Sequence, residues 1–209
     1  MSERRISILA AGAHPDDIEY GCGGMLTRCG REGYDIYLMV LTDGGAGGDV
    51  AVRRREQEMA AELLHAKELF WGGFKDTEIP VNGRTISLID KLVLQVKPDE
   101  VYVNYFDDTH QDHRVLAQCV ISATRHIRKV LFYEGYTTMN FEPDVFVDIE
   151  DVLDDKIRLL GAHHSQISKY YPTGLDIIES ARAVANFRGF QGKVKCAEGF
   201  KALRFLRDV

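Results

Sequence analysis

Short continuous apolar runs alternate along this chain with longer stretches in which apolar residues recur every three or four positions. The first pattern is typical of buried strands, and the second is typical of helices with one buried face. The pattern predicts strands at Ile6–Ala11, Tyr34–Leu41, Glu68–Trp71, Val101–Asn104, Val130–Tyr133 and Val145–Ile149. It predicts helices at Ile18–Glu32, Arg53–His65, Ile86–Val96, His110–Arg125, Val152–His163 and Leu175–Asn186.

The alternation of strands and helices determines the predicted fold class. Strand–helix–strand units favour an α/β fold with a mostly parallel sheet covered by helices on both faces. The chain has 209 residues and no repeat or interdomain linker, so residues 1–209 are expected to form a single domain. In such sheets ligands bind outside the carboxyl ends of the strands, which makes residues directly after strands the first candidates for a functional site.

Composition and charge exclude several classes of function. The formal net charge of −6 argues against a nucleic-acid partner, which would favour a basic face. No apolar run approaches the roughly 20 residues of a membrane span, and the N-terminal run is too short for a signal peptide. The cysteines at positions 22, 29, 119 and 196 show no CxxC pairing. With no secretion signal, they are expected to be reduced in a cytoplasmic protein.

Two clusters of histidine and aspartate each follow a predicted strand. The first is His14, Asp16 and Asp17, and the second is His110, Asp112 and His113. Each residue alone has a structural explanation, because aspartate often caps a helix and a lone histidine is often a buried hydrogen-bonding residue. Two such clusters at the ends of strands indicate a metal site with a His/Asp/His ligand set. Asp43 also follows a strand and is expected at the same edge of the sheet.

This combination of residues indicates a metallohydrolase. Two imidazoles and one carboxylate suit zinc with a fourth position for water, although iron, cobalt or manganese suits the same set. Zinc lowers the pKa of its bound water towards ~7, and Asp16 would take the proton as that water attacks a carbonyl. A positively charged His110 would stabilise the oxyanion or protonate the leaving amine. Asp112 would orient an imidazole.

Several motifs, in order along the chain, resemble those of the LmbE-like (PIG-L-type) N-deacetylase family. They are Ala13-His14-Pro15-Asp16-Asp17-Ile18-Glu19 with Gly21-Cys22-Gly23-Gly24, Thr42-Asp43-Gly44, Arg53-Arg54-Arg55-Glu56, His110-Gln111-Asp112-His113, His164-Ser165-Gln166 and Ala197-Glu198-Gly199-Phe200. The resemblance therefore covers nearly the whole chain. It implies a zinc-dependent enzyme with a Rossmann-like fold that removes acetyl groups from N-acetylated amino sugars.

Carried over position by position, the resemblance implies a role for each site residue. It makes the metal ligands His14, Asp17 and His113, the general base Asp16 and the electrostatic partner His110. It also implies that Arg53 contacts the substrate. Asp43, in the neighbouring motif, is assigned to substrate binding with Arg53. The implied partner is a small N-acetyl amino sugar or glycoside, and a homo-oligomer, either a trimer or a hexamer, is expected.

Two positions depart from the family pattern. Gln111 stands where proline is common, which would affect the turn more than the chemistry. Asn104 lies in a strand-end segment where many relatives carry a histidine, and it could alter the substrate pocket. Two alternatives to a sugar deacetylase stay open: an amidase acting on another N-acyl or thiol-conjugate substrate, and a non-catalytic metal- or sugar-binding protein. Asp16 and His110 together argue against the second alternative, because pure binding needs neither.

Three further features have both a functional and a structural interpretation. The glycine-rich segment 44–48 could be a substrate lid or a plain surface loop. His163 and His164 could approach the site, or they could suit the negative end of a helix. Tyr170 and Tyr171 could offer aromatic faces to a sugar ring, although packing is the more common role.

Overall fold

A seven-stranded sheet forms the centre of the structure, a computed structural model that describes residues 5–169, 174 and 176–207. Its strands are β1 (Ser7–Gly12), β2 (Asp35–Thr42), β3 (Glu68–Phe74), β4 (Glu100–Asn104), β5 (Lys129–Tyr133), β6 (Val145–Asp148) and β7 (Ala197–Phe205). The spatial order is β3-β2-β1-β4-β5-β7-β6. The first five strands are parallel, and β7 runs antiparallel to both β5 and β6. The predicted α/β fold with a mostly parallel sheet is confirmed.

Seven helices accompany the sheet in the described part of the chain. They are α1 (Asp17–Arg31), α2 (Val50–Leu63), α3 (Gly83–Val96), α4 (Gln111–Ala123), α5 (Leu153–Gly161), α6 (His164–Ile167) and α7 (Ile177–Gly192), with a 3₁₀ turn at Glu150–Val152. None of these helices combines the length and the apolar character that crossing a membrane requires.

The sheet is covered on both faces, which explains why its central strands are apolar at consecutive positions. In β1, Leu9 and Ala11 pack with α3 and α4, whereas Ile8 and Ala10 pack with α1 and α2 on the opposite face. All six residues of β1 are buried. A strand buried on both faces appears in the sequence as a continuous apolar run.

The chain reverses its direction of strand addition beside β1. It builds β2 and β3 on one side of β1, and then crosses to place β4 and β5 on the other side. The loops after β1 and β4 therefore diverge and leave a crevice at the carboxyl ends of these two strands. Both histidine–aspartate clusters of the sequence follow these strands.

The sequence pattern located every parallel strand, but it missed two elements near the C-terminus. The antiparallel strand β7 was not predicted, because its second half is charged and only partly buried. The short helix α6 was also missed. The predicted helix from Leu175 is observed as α7, which begins at Ile177 and extends to Gly192, and Leu175 itself lies outside the described residues.

A kink in α1 is stabilised from β7. Cys22 has a non-helical backbone (φ −143°, ψ 16°), so the helical hydrogen bonds are interrupted there. The carboxylate of Glu198 accepts hydrogen bonds from the backbone N–H groups of Gly24 (2.9 Å) and Met25 (2.7 Å). Lys156 of α5 forms a buried ion pair with the same carboxylate. This contact gives a structural role to the Ala197–Phe200 motif.

We expect Lys156→Met to lower the free energy of unfolding by about 3–5 kcal/mol, because it leaves the buried Glu198 carboxylate without its cation. Urea denaturation monitored by circular dichroism measures the change. Arg182→Met is the matched control, since it removes the exposed ion pair with Asp154 and should cost less than about 1 kcal/mol. Equal small losses in both variants would contradict a stabilising role for Lys156.

Candidate metal and catalytic site

Three imidazoles meet in the crevice between β1 and β4. His14 lies in the loop after β1, and His110 and His113 lie at the start of α4. The ring centroid of His14 is 4.5 Å from that of His110 and 5.3 Å from that of His113. The structure thus brings together the two clusters that are about a hundred residues apart in the sequence.

Hydrogen bonds from three strands hold the end of β1 and the loop after it, which carries His14. The amide of Asn104, at the end of β4, accepts from the backbone N–H of Ala13 (3.2 Å). The backbone N–H and the hydroxyl of Thr42, at the end of β2, both donate to the carbonyl of Ala13 (2.9 Å each). Tyr133 of β5 donates its hydroxyl to the carbonyl of Ala11. Asn104 is buried beneath the loop, where it supports the backbone of the site.

Asp17 lies between two of the imidazoles. Its Oδ1 is 3.3 Å from Nε2 of His113, and its Oδ2 is 3.5 Å from Nδ1 of His14. Among the described residues, two triplets have ligand atoms that all lie within 4.8 Å of one another: His14 with His110 and His113, and His14 with Asp76 and Asp112. The predicted ligand set of His14, Asp17 and His113 is not one of these two triplets. Potential ligands therefore surround His14 on more than one side.

Each of the two imidazoles next to Asp17 has a carboxylate at its other nitrogen. Nδ1 of His113 is 3.1 Å from Oδ2 of Asp108. Nε2 of His14 is 3.3 Å from Oδ2 of Asp112 and 3.0 Å from Oδ1 of Asp76. Such carboxylates fix the tautomer and orientation of metal-binding histidines. The structure places Asp112 beside the imidazole of His14, and its role in orienting that ring stays a prediction.

Sequence reasoning missed Asp76 and Asp108 as members of this site. Asp108 lies two residues before the His110–His113 motif, so its position after β4 was a usable signal. Asp76 follows the edge strand β3, and nothing in the local sequence distinguishes it from a surface loop residue. Its carboxylate also accepts from the backbone N–H of Ala46 (2.9 Å), which connects the glycine-rich segment to the site.

The side chains fit a divalent transition metal. The cluster combines buried aspartates with imidazoles, which are the ligand types that zinc prefers. Oδ1 of Asp112 is buried without a hydrogen-bond partner, and the contact of Asp76 Oδ1 is the ion pair with His14. Burial lowers the pKa of His113, but the carboxylates of Asp17 and Asp108 outweigh it and raise the pKa to about 9. The site therefore favours positive charge.

Asp16 is buried beside the cluster. Within the part of the chain that the structure describes, no ion pair joins its carboxylate to an imidazole nitrogen. Its Oδ2 is 3.3 Å from Nη2 of Arg53. Burial raises the pKa of the Asp16 carboxyl to about 6, against the opposing charge of Arg53 and with a further contribution from Asp17. A carboxyl group with such a pKa can accept and return a proton near neutral pH.

Arg53 lies under the glycine-rich segment and is only 4% exposed. Its guanidinium donates to the carbonyls of Pro15 (2.6 Å) and Gly44 (2.8 Å) as well as to Asp16. A Cβ atom on Gly44 would lie 2.3 Å from Nη1 of Arg53, so the backbone can approach this closely only because residue 44 is glycine. These three contacts place Arg53 behind Asp16, and the predicted contact of Arg53 with the substrate stays a prediction.

The glycine-rich segment is fastened at several points. Besides Arg53 and Asp76, Gln166 of α6 donates to the carbonyl of Gly47 (3.4 Å). Asp43 accepts from the backbone N–H of Gly45 (3.1 Å) and so stabilises the turn that it begins. Tyr170 and Tyr171, the suggested aromatic faces for a sugar, lie outside the described residues.

His110 begins α4 as its N-cap. Its Nδ1 accepts from the backbone N–H of Asp112 (3.2 Å). Burial lowers the pKa of His110, and the neighbouring charges of His14 and His113 lower it further. The electrostatics thus oppose the positive charge that the sequence analysis expected on this imidazole, and favour a neutral ring with its proton on Nε2.

Comparison with known proteins gives a consistent family assignment. Residues 9–124 match the family PIG-L, GlcNAc-PI de-N-acetylase. The uncharacterized deacetylase YaiS of Escherichia coli strain K12 is 35% identical over 173 residues, which cover 78% of this chain and 94% of that protein. The diacetylchitobiose deacetylase of Thermococcus kodakarensis is 28% identical over 231 residues, covering 93% of this chain and 82% of that protein.

A solved structure shares the whole fold. The conserved protein TT1542 from Thermus thermophilus superposes with a TM-score of 0.86 at 25% identity, covering 98% of this chain and 97% of that chain. The family match covers more than half of the chain, and the identity to YaiS extends over most of both proteins. The chain therefore belongs to the PIG-L (LmbE-like) family of deacetylases, which are metal-dependent hydrolases.

Proposed function

We propose that this protein is a zinc-dependent hydrolase that removes the acetyl group from an N-acetylated amino sugar or its conjugate. The observation that carries the proposal is the position of Asp16, a buried carboxylate beside a cluster of imidazoles and aspartates. Similarity to a diacetylchitobiose deacetylase supports an N-acetyl sugar as the substrate class.

In this proposal His14, Asp17 and His113 would hold the metal. Asp108 would orient His113, and the pair Asp76 and Asp112 would orient His14. When bound, zinc would supply a Lewis acid that polarises the acetyl carbonyl and lowers the pKa of a water molecule.

Asp16 would transfer the proton, and His110 would stabilise the oxyanion. Asp16 would accept the proton of the attacking water and return it to the leaving amine, a role that suits its raised pKa. His110, with Nδ1 occupied by the N–H of Asp112, would donate a hydrogen bond from Nε2 to the oxyanion. A neutral imidazole would serve this purpose without giving up its proton.

Asp16→Asn should lower kcat by roughly 10²–10⁴-fold and leave the zinc content unchanged, because the amide cannot accept the proton. The measurement is primary-amine release from a panel of N-acetylated monosaccharides, disaccharides and other N-acyl amides, with zinc determined by atomic spectrometry. Asp154→Asn, at a side chain that is 88% exposed, is the matched control. Full activity of Asp16→Asn on a substrate that the wild type cleaves would rule out Asp16 as the base.

Removal of the metal should abolish amine release and reduce thermal stability, since an ion bound only by the folded state stabilises that state. Dialysis against a chelator, followed by titration with zinc, should restore activity and the melting temperature at one equivalent per chain. Activity that persists in protein shown to be free of metal would contradict a metal-dependent mechanism.

Asp108→Asn should weaken zinc binding by about 10–100-fold, because His113 loses the carboxylate that orients it. Competition with a chromophoric chelator measures the affinity. Asp107→Asn provides the control, since the side chain of Asp107 accepts from Asn140 instead of from an imidazole. If both variants bound zinc as the wild type does, Asp108 would have no part in orienting His113.

A further inference from the structure

We infer that Gln57 is a positioning residue for Asp16 and that it acts through the backbone N–H of Asp16. The inference rests on the proposed function only in treating Asp16 as the general base. Gln57 lies in α2, outside every motif of the sequence analysis, and it is fully buried.

The backbone of Asp16 has an unusual conformation. Its φ of 95° and ψ of −24° lie in the left-handed region, which residues with a Cβ atom rarely adopt. Such a conformation persists where the surrounding structure determines it, and it is often found at functional sites. The contacts that hold Asp16 in place therefore decide where its carboxylate points.

Helix α2 supplies those contacts from two side chains one helical turn apart. Arg53 donates to the carbonyl of Pro15 and to the carboxylate of Asp16. Gln57 accepts the backbone N–H of Asp16 at its Oε1 (3.2 Å). One face of α2 thus holds both the C=O and the N–H of the Pro15–Asp16 peptide group, together with the carboxylate of Asp16.

The orientation of the Gln57 amide is determined by its other neighbour. Its Nε2 donates to Oε1 of Glu19 (2.7 Å), and Glu19 is 1% exposed. Because a carboxylate only accepts, the NH₂ group of Gln57 must face Glu19 and its oxygen must face Asp16. The opposite orientation would place two donors, and separately two acceptors, against each other.

A buried histidine ends this row of polar groups. Nε2 of His163 is 3.3 Å from Oε2 of Glu19, and the side chain of His163 is 1% exposed. The chain that follows His163 is also held by α2, because the carboxylate of Glu56 accepts hydrogen bonds from the backbone N–H (2.7 Å) and the hydroxyl (2.6 Å) of Ser165. His163, Glu19 and Gln57 thus form one line of contacts that ends at the backbone of Asp16.

This arrangement predicts a specific kinetic effect. Gln57 is fully buried, so its side chain offers no exposed surface to a substrate, and its amide contacts Asp16 and Glu19 instead of the imidazole cluster. Its removal should therefore impair the placement of the base without altering the affinity for the metal or the substrate. A misplacement of about 1 Å can cost on the order of 10²-fold in rate.

The test compares Gln57→Met, Gln57→Glu and the double variant Gln57→Glu/Glu19→Gln. Gln57→Met removes both hydrogen bonds at nearly constant volume, and should lower kcat by roughly 10–100-fold with KM and zinc content unchanged. Gln57→Glu sets two carboxylates against each other and should also lose activity. The double variant exchanges the two groups, so that position 57 again accepts from Asp16 and receives an N–H from position 19. It should recover most of the kcat.

Hydrogen exchange of the Asp16 amide, measured by NMR, provides a readout that does not depend on turnover. Its protection should fall in Gln57→Met and return in the double variant relative to Gln57→Glu. Gln95→Met, the same change at an exposed position of α3, is the control and should match the wild type.

Three results would overturn the inference: unchanged kcat and protection in Gln57→Met, loss of zinc in that variant, or a double variant no better than Gln57→Glu. If Gln57→Met fails to fold, the comparison of kcat and amide protection between Gln57→Glu and the double variant still tests whether Gln57 positions Asp16. If the wild type releases no amine from any substrate, the proposed function fails, whereas the exchange of the Asp16 amide continues to test the contact itself.

Discussion

The concentration of buried carboxylates at the carboxyl ends of β1, β3 and β4 is the constraint on which the site depends. Asp16, Asp17, Asp76, Asp108 and Asp112 are all at most 6% exposed. Buried charges are costly unless they are paired, so this cluster demands positive charge and hydrogen-bond donors. Arg53, the imidazoles and backbone N–H groups such as those of Ala46 and Thr77 meet part of that demand. A divalent cation among the imidazoles would meet the rest, and this is the physical reason that the site fits a metal.

The fold separates the two tasks that a metal-dependent hydrolase needs. The loop after β1 and the start of α4 bring His14, Asp17 and His113 together, with further carboxylates behind two of the rings. Helix α2 approaches from the other side and holds Asp16 through its backbone and its carboxylate. Asp16, the proposed base, is thereby supported by a helix that does not orient the imidazoles. The glycine-rich segment, fastened over Arg53, connects the two parts.

The sequence was sufficient for the parallel sheet and for the convergence of His14, Asp16, Asp17, His110 and His113, because each follows a strand with a clear apolar pattern. It was insufficient where tertiary packing decides. Three consecutive arginines in a helix resemble a solvated surface, and only packing separates buried Arg53 from exposed Arg55. Gln57 lies outside every motif, and Glu19 lies in a motif that assigns it no role, because the contacts of both depend on helices that meet in space. For the same reason Asp76 could not be assigned to the site from the sequence. The expected trimer or hexamer stays a prediction.

The most direct test of this account is the zinc coordination in solution. X-ray absorption spectroscopy at the zinc edge should be recorded for the zinc-loaded wild type and for Asp16→Asn. We expect two imidazole ligands with oxygen donors and the same spectrum for both proteins, because in the proposed site His14, Asp17 and His113 would hold the metal and Asp16 would not. A signature of three imidazoles would contradict the proposed ligand set, and a spectrum that changes when Asp16 is replaced would contradict a role for Asp16 outside the coordination of the metal.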